Sequence, residues 1–334
     1  MRLRAVWIIA VGVALAGGAC SAATDDAPSP APSADSGASD GSDAGSAGDG
    51  AAADGRARGG DAGDASALDA GTDAADADAG LTWLRYEFPE TGFPNGWLVA
   101  NQGNSPNHWG AASFAGASTL NMFTDDVGGG IACADNMGCT ASQCVAGTCR
   151  QRVKQKSPRS DFAFGAYQWR VFVPARTPSD AEVSAGAFVY ADDEHELDFE
   201  CGPGTAAARS SVTLAHLDGT VGPALGAEMI CYATSQANPF VSTPTAVPGN
   251  AWHTLELAMT PDANAHFTVT WRIAGVAVET KALTYGPADA CEMYVAGKKC
   301  TWQAFISVEN LGFIGDTYPT TRNDAHFDWF QYGQ

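Results

Sequence analysis

Basic side chains are scarce in this chain: 18 Lys and Arg stand against 38 Asp and Glu, a formal net charge of −20. So acidic a surface repels phosphate backbones and anionic lipid, which argues against nucleic acid or an anionic membrane surface as ligand. Helical periodicity is scarce too, and after residue 80 short β-rich runs broken by Gly, Pro, Asn and Asp take its place. Large apolar residues are almost missing from 21–80, where Leu68 stands alone among Ala, Asp, Gly, Ser, Pro and Thr. With 13 aspartates and two arginines, that stretch cannot bury enough surface to offset its ordering entropy. It is expected to be a disordered acidic linker holding a domain at a distance.

The start of the chain has what the linker lacks. "MRLRAVWIIAVGVALAGGAC" carries two arginines, an apolar run and small residues ending in Cys20, the pattern of an export signal. The "AGGAC" ending is similar to a bacterial lipobox, with Gly17 where leucine is usual. It predicts a lipidated Cys20, a membrane anchor and a cell-envelope location, most simply the outer membrane. Ordinary cleavage near 21–23 is the alternative. Removing Cys20 from nine cysteines leaves eight, an even number that points to disulfides in an exported chain.

Residues 81–334 are long enough for one all-β domain, and a monomer is expected. The runs "YQWRVFVP", "SAGAFVYA", "HELDFEC", "SSVTLAHL", "AEMICYA", "WHTLELAM", "HFTVTWRI", "VAVETKAL", "WQAFISVE" and "AHFDWFQY" read as strands, with hairpin turns at 260–266 and 273–278. Many short strands with turn signals between them predict a jelly-roll β-sandwich. A Cys-rich insert at 128–156 carries Cys133, Cys139, Cys144 and Cys149. Their spacing and the lack of nearby histidine favour two disulfides over zinc. The "RQRVKQK" that ends the insert reads as a solvated basic loop.

The informative stretch is "VYADDEHELDFECG" at 189–202, with six acids in fourteen residues. Glu196, Asp198 and Glu200 alternate with Leu197 and Phe199, so a strand here lines one face with three carboxylates. Such a row repels itself unless the repulsion is used. Cys201 shares parity with the apolar residues and can bridge to Cys231 behind the acidic face, which places Glu228 and Tyr232 on the cleft side. Cys291 and Cys300 share a loop and are expected to pair.

"ELDFE" resembles the ExDxE signature of glycoside hydrolase family 16, the concanavalin A-like jelly-roll β-glucanases, especially the lichenase type. "FGAYQWRVFVPA", "GAFVYADDEHELDFECG", "WHTLELAMTPD" with "WRIAGVAVET", and "AHFDWFQYG" resemble successive strands of that family, in its order, over about 160–334. The resemblance implies a retaining hydrolase of a β-linked polysaccharide that requires no cofactor. Glu196 would be the nucleophile, Asp198 its assisting acid and Glu200 the general acid/base. Gln168, where the family has Glu, and Arg170 would line the substrate site. Asp328 matches a position that holds structural calcium in some relatives. Trp97, Trp109 and Trp302 are candidate sugar platforms, while parity assigns Trp169, Trp252 and Trp271 to the core. Two other readings compete with the enzyme: a non-catalytic, lectin-like carbohydrate-binding surface lipoprotein on the same fold, and a structural surface protein whose acids bind calcium or face solvent.

Overall fold

The computed structural model describes residues 80–88, 96–102, 105–124, 132–133, 144–145, 147–175, 181–236, 239–291, 298–319 and 322–334. The expected signal peptide with Cys20, and the expected linker up to residue 79, lie outside these residues, as does Cys139.

Two antiparallel-dominated sheets face each other as a jelly-roll sandwich. The back sheet runs β16 (Val276–Ala282), β15 (Phe267–Ile273), β14 (Ala251–Pro261), β8 (Gly165–Val173), β18 (Asn323–Gly333), β4 (Ala117–Thr124) and β3 (Trp109–Phe114), with β1 (Trp83–Glu87) also pairing β18. The front sheet runs β11 (Ala215–His216), β13 (Val241–Val247), β12 (Met229–Ser235), β10 (His195–Gly202), β9 (Ser184–Asp192), β17 (Gln303–Glu309), β7 (Arg152–Lys156) and β2 (Leu98–Val99). A small ladder joins β5 (Cys144–Val145) to β6 (Thr148–Cys149), and α1 (Ala206–Arg209) is a single turn.

Burial differs along each sheet. In β15, Phe267, Val269, Trp271 and Ile273 point into the core while the residues between them are half-exposed. β14 alternates in the same way through Leu255, Leu257 and Met259. These two strands have one face on the core and one in water, while β8 and β18 in the middle of the same sheet are largely buried on both faces. The middle of the front sheet is buried on both faces: every residue of β10 except Glu196 is buried, as is every residue of β17 except Gln303. Its core side carries Leu197, Phe199, Cys201, Ile306 and Val308. The opposite side carries acids, hydroxyls and aromatics.

Several expectations need correction. "SSVTLAHL" is mostly turn, with only Ala215–His216 in strand, because α1 ends just before it at Arg209 and Ser210 caps that helix. The insert ends earlier than residue 156: "RVKQK" is not a solvated loop but β7, paired with β17 and β2. Trp97 and Trp302 are core residues at 1% and 0% exposure, so neither is a sugar platform. Trp109 lies on β3 of the back sheet, packed against the core's edge. Trp169 and Trp271 are in the core, but Trp252 is on the outer face of the back sheet, edge-on to Phe172. The hairpins form as expected, with Ala265, Ala274 and Gly275 at positive φ.

Disulfides join Cys201 to Cys231, Cys291 to Cys300 and Cys133 to Cys144, and Cys149 is also disulfide-bonded. The first links directly paired residues of β10 and β12 inside the core, behind the acidic strand.

Candidate active site

β10 is flanked by β9 and β12, and the pairing fixes what stands beside each carboxylate. Glu196 lies opposite Tyr190, Asp198 between Phe188 and Thr234, and Glu200 between Gly186 and Tyr232. One strand further, β17 adds Phe305 beside Phe188, Ser307 beside Gly186 and Glu309 beside Ser184. Beyond it, β7 places Lys154 opposite Ser307 and Arg152 opposite Glu309. Residues two apart on a strand share a face, so all these side chains lie on the same face of the front sheet.

The three acids are held in distinct environments. Glu196 is half-buried; Asp198 and Glu200 are 1% and 9% exposed. The Ser184 hydroxyl donates to Glu200 Oε2. Gln236 Nε2 donates to Asp198 Oδ2 at 2.9 Å, and across the core the Trp271 indole N–H donates to the Asp198 backbone carbonyl at 3.2 Å. No donor faces Asp198 Oδ1 among the described residues. The interaction between the neighbouring Glu196 and Asp198 carboxyl groups lowers Glu196 and raises Asp198.

Burial is the main cause that pushes all three upward from the ordinary carboxylate range. Asp198 rises well above it, through burial and then the charges of Glu196 and Glu200. Glu200 is pushed up to about 8, by burial and then by the charge of Glu309. Glu196 also rises through burial, but Lys154 and the Asp198 carboxyl oppose the rise. A row of like charges separates the titrations of its members, the condition for pairing a proton donor with a nucleophile.

Gly186 is required by this packing. A Cβ there would lie 2.3 Å from Ser307 Oγ and 3.1 Å from both Glu200 carboxylate oxygens. An aromatic group adjoins the acids: Phe188 and Phe305 stack at 4.8 Å between centroids, with Tyr190 edge-on to Phe305 at 5.8 Å. Tyr232 meets the exposed ring of Phe313 at 5.9 Å.

Of the remaining expected site residues, Tyr232 alone joins the carboxylates. Gln168 and Arg170 project from the back sheet on its outer face, away from the acid row. Gln168 Nε2 donates to Glu256 at 2.7 Å and its carbonyl accepts from Gln331 at 2.7 Å. A carboxylate at 168 would stand directly opposite that of Glu256, which accounts locally for the amide. Arg170 pairs with Asp328 at 3.2 Å and covers the Trp252 ring at 5.1 Å. Asp328 is therefore an ion-pair partner, and it belongs to no cluster of three metal-ligating side chains among the described residues. Glu228 binds His216 Nδ1 at 3.1 Å and the Leu225 amide at 2.6 Å, tying a loop at the sheet's end instead of reaching the acids. Asp192, His195 and Cys291 do cluster with metal-ligand spacing, but Cys291 is bonded to Cys300 and offers no thiolate.

Lys154, Arg152, Glu309, Ser184, Gln236, Phe188 and Phe305 were not among the expected site residues. Period-two alternation through "FISVE" was the signal that could have found Phe305 and Glu309 on β17, whereas "RVKQK" carried none for β7.

No protein-family model matches the chain, and no curated protein matches it. Among solved structures, a glycosyl hydrolase family 16 protein from Mycobacterium smegmatis is similar over 75% of this chain and 98% of its own, at 15% identity and a TM-score of 0.43. A beta-1,3-glucanase from Mycobacterium marinum is similar over 75% of this chain and 97% of its own, at 14% identity and a TM-score of 0.42. A beta-1,3-1,4-glucanase (lichenase) derived from a mouse hindgut metagenome is similar over 76% and 94%, at 15% identity and a TM-score of 0.38.

Proposed function

We propose that the chain is a retaining glycoside hydrolase acting on a β-linked polysaccharide. The observation that supports this best is the row Glu196, Asp198 and Glu200 on one face of β10, with Glu200 held at about 8. At neutral pH Glu200 then carries the proton that a leaving glycosidic oxygen needs, and Glu196 is the more exposed carboxylate, available to attack the anomeric carbon. Attack forms the ester to Glu196 while the Glu200 proton passes to the departing sugar. Having given up its proton Glu200 is a carboxylate, and the burial and Glu309 charge that raise it make it a ready base. It takes a proton from water, whose oxygen displaces Glu196 from the anomeric carbon with net retention. Asp198 keeps its own proton and donates it to Glu196, steadying the nucleophile and leaving group.

The test is Glu196→Gln and Glu200→Gln on lichenan, laminarin, agarose and carrageenan. Each amide is nearly isosteric yet can neither attack nor donate the proton. Loss of about 10²–10⁴-fold or more in turnover by a folded variant is the expected result. Unchanged turnover in either would reject the assignment. One observation favours a second reading, non-catalytic carbohydrate binding: Glu200 is only 9% exposed, little for a group that must reach a substrate oxygen. Glycan binding without turnover on the whole panel would select it.

A further inference from the structure

A second set of buried charges lies on the same face of the front sheet. Glu309 of β17 is 1% exposed and binds two cations of β7: Arg152 Nε at 2.5 Å and Lys154 Nζ at 3.0 Å. Lys154 is itself buried and lies over the Phe188 ring at 5.0 Å. Buried ion clusters contribute little net stability, since desolvation offsets most of the attraction. Such a cluster calls for another explanation when it sits beside reacting groups. Here Glu309 is the cross-strand partner of Ser184, the residue that hydrogen-bonds Glu200.

We propose that the Glu309–Arg152–Lys154 cluster is a positioning device for the acid row: Glu309, standing beside the Ser184 hydroxyl that donates to Glu200, favours the proton on Glu200, and the buried cation of Lys154 on the same face favours charge on Glu196. The catalytic roles rest on the hydrolase reading; the charge coupling does not. After burial, the foremost influence on Glu200 is Glu309, which raises it, whereas the foremost on Glu196 is Lys154, which lowers it; each charge also acts in the same sense, lower in rank, on the other glutamate. Burial alone would raise Glu309, but Arg152 and Lys154 outweigh it and hold this carboxylate at about 2, so its charge is fixed across the working range. The charged and titratable groups facing Glu200 are Glu196 and Asp198 from β10, Tyr232 from β12, Glu309 from β17, and Lys154 and Arg152 from β7. Beside Glu200, β9 offers only Ser184 and Gly186.

The test is a ¹³C-carboxyl NMR titration of the full, disulfide-bonded chain in the absence of glycan. The Glu196 and Glu200 signals are assigned by their Gln variants. Glu309→Gln should lower the Glu200 midpoint by about one pH unit or more, and Lys154→Met should raise that of Glu196 by a similar amount. The double variant should return both toward wild type. Should Glu309→Gln fail to fold, comparing the double variant with Lys154→Met isolates the same charge, with the same required sign. Midpoints that do not move, or that move in the same direction in both single variants, overturn the proposal. A chain that cleaves no glycan still gives this answer, so the two failures are distinguishable.

Discussion

Asp198 and Glu200 are almost fully withdrawn from water, where an uncompensated carboxylate costs several kcal/mol. The chain lowers that cost by keeping protons on them, and stability should therefore depend on pH in a predictable direction. Glu200 ordinarily titrates near 4.5 and here near 8, so between those values the folded state binds more protons than the unfolded one. Stability from this group is full below about 4.5 and falls as pH rises toward 8. Glu309 works in the opposite direction: its contribution is present above about 4.5 and lost as pH falls toward 2. Because Glu200→Gln removes only the first dependence, its melting temperature should gain on wild type progressively between pH 5 and pH 8. A constant difference by calorimetry would show that Glu200 is not held protonated in the fold.

Among the elements, β10 shows how one strand can carry both the carboxylate row and part of the core. Leu197, Phe199 and Cys201 anchor it inside, and the Trp271 indole of β15 reaches across the core to the Asp198 carbonyl. Trp271→Phe removes that donor and also leaves a cavity in the core, so it should cost more than the roughly 1 kcal/mol of the bond alone. Chemical denaturation measures it, and no loss would mean the bond does not fasten the strand. Alternation made β10, β12, β14 and β15 legible in the sequence, because each places apolar residues at every second position. β7 was not legible: in "RVKQK" a single inward valine stands among charged and amide side chains, so its polarity resembled a loop. It pairs because Glu309 neutralises its cations from the neighbouring strand, a contact 157 residues away from Arg152 in sequence. Gln168 and Arg170 were misplaced for a related reason. Parity gives the face of a strand, but not which of two sheets the strand joins.

At the scale of the molecule, both sheets bury polar side chains outside the core: Asn121, Gln168 and His326 on the back sheet, and the acid row with its partners on the front sheet. Trp252 shows what the pattern alone could not decide: a half-exposed indole on the outer face reads the same as a core residue until Phe172 and Arg170 are known to be its neighbours. The carboxylate row was legible because its three members lie within five residues, whereas the cluster that sets their roles comes from two further strands distant in sequence. What the whole arrangement claims is a double displacement at Glu196. The direct measurement is ¹H NMR of the anomeric signals immediately after the full chain is added to a cleaved β-glucan, before mutarotation. The account predicts that the β-anomer of the new reducing end forms first and the α-anomer grows in later. An α-anomer that forms first would mean inversion, and would contradict Glu196 as nucleophile.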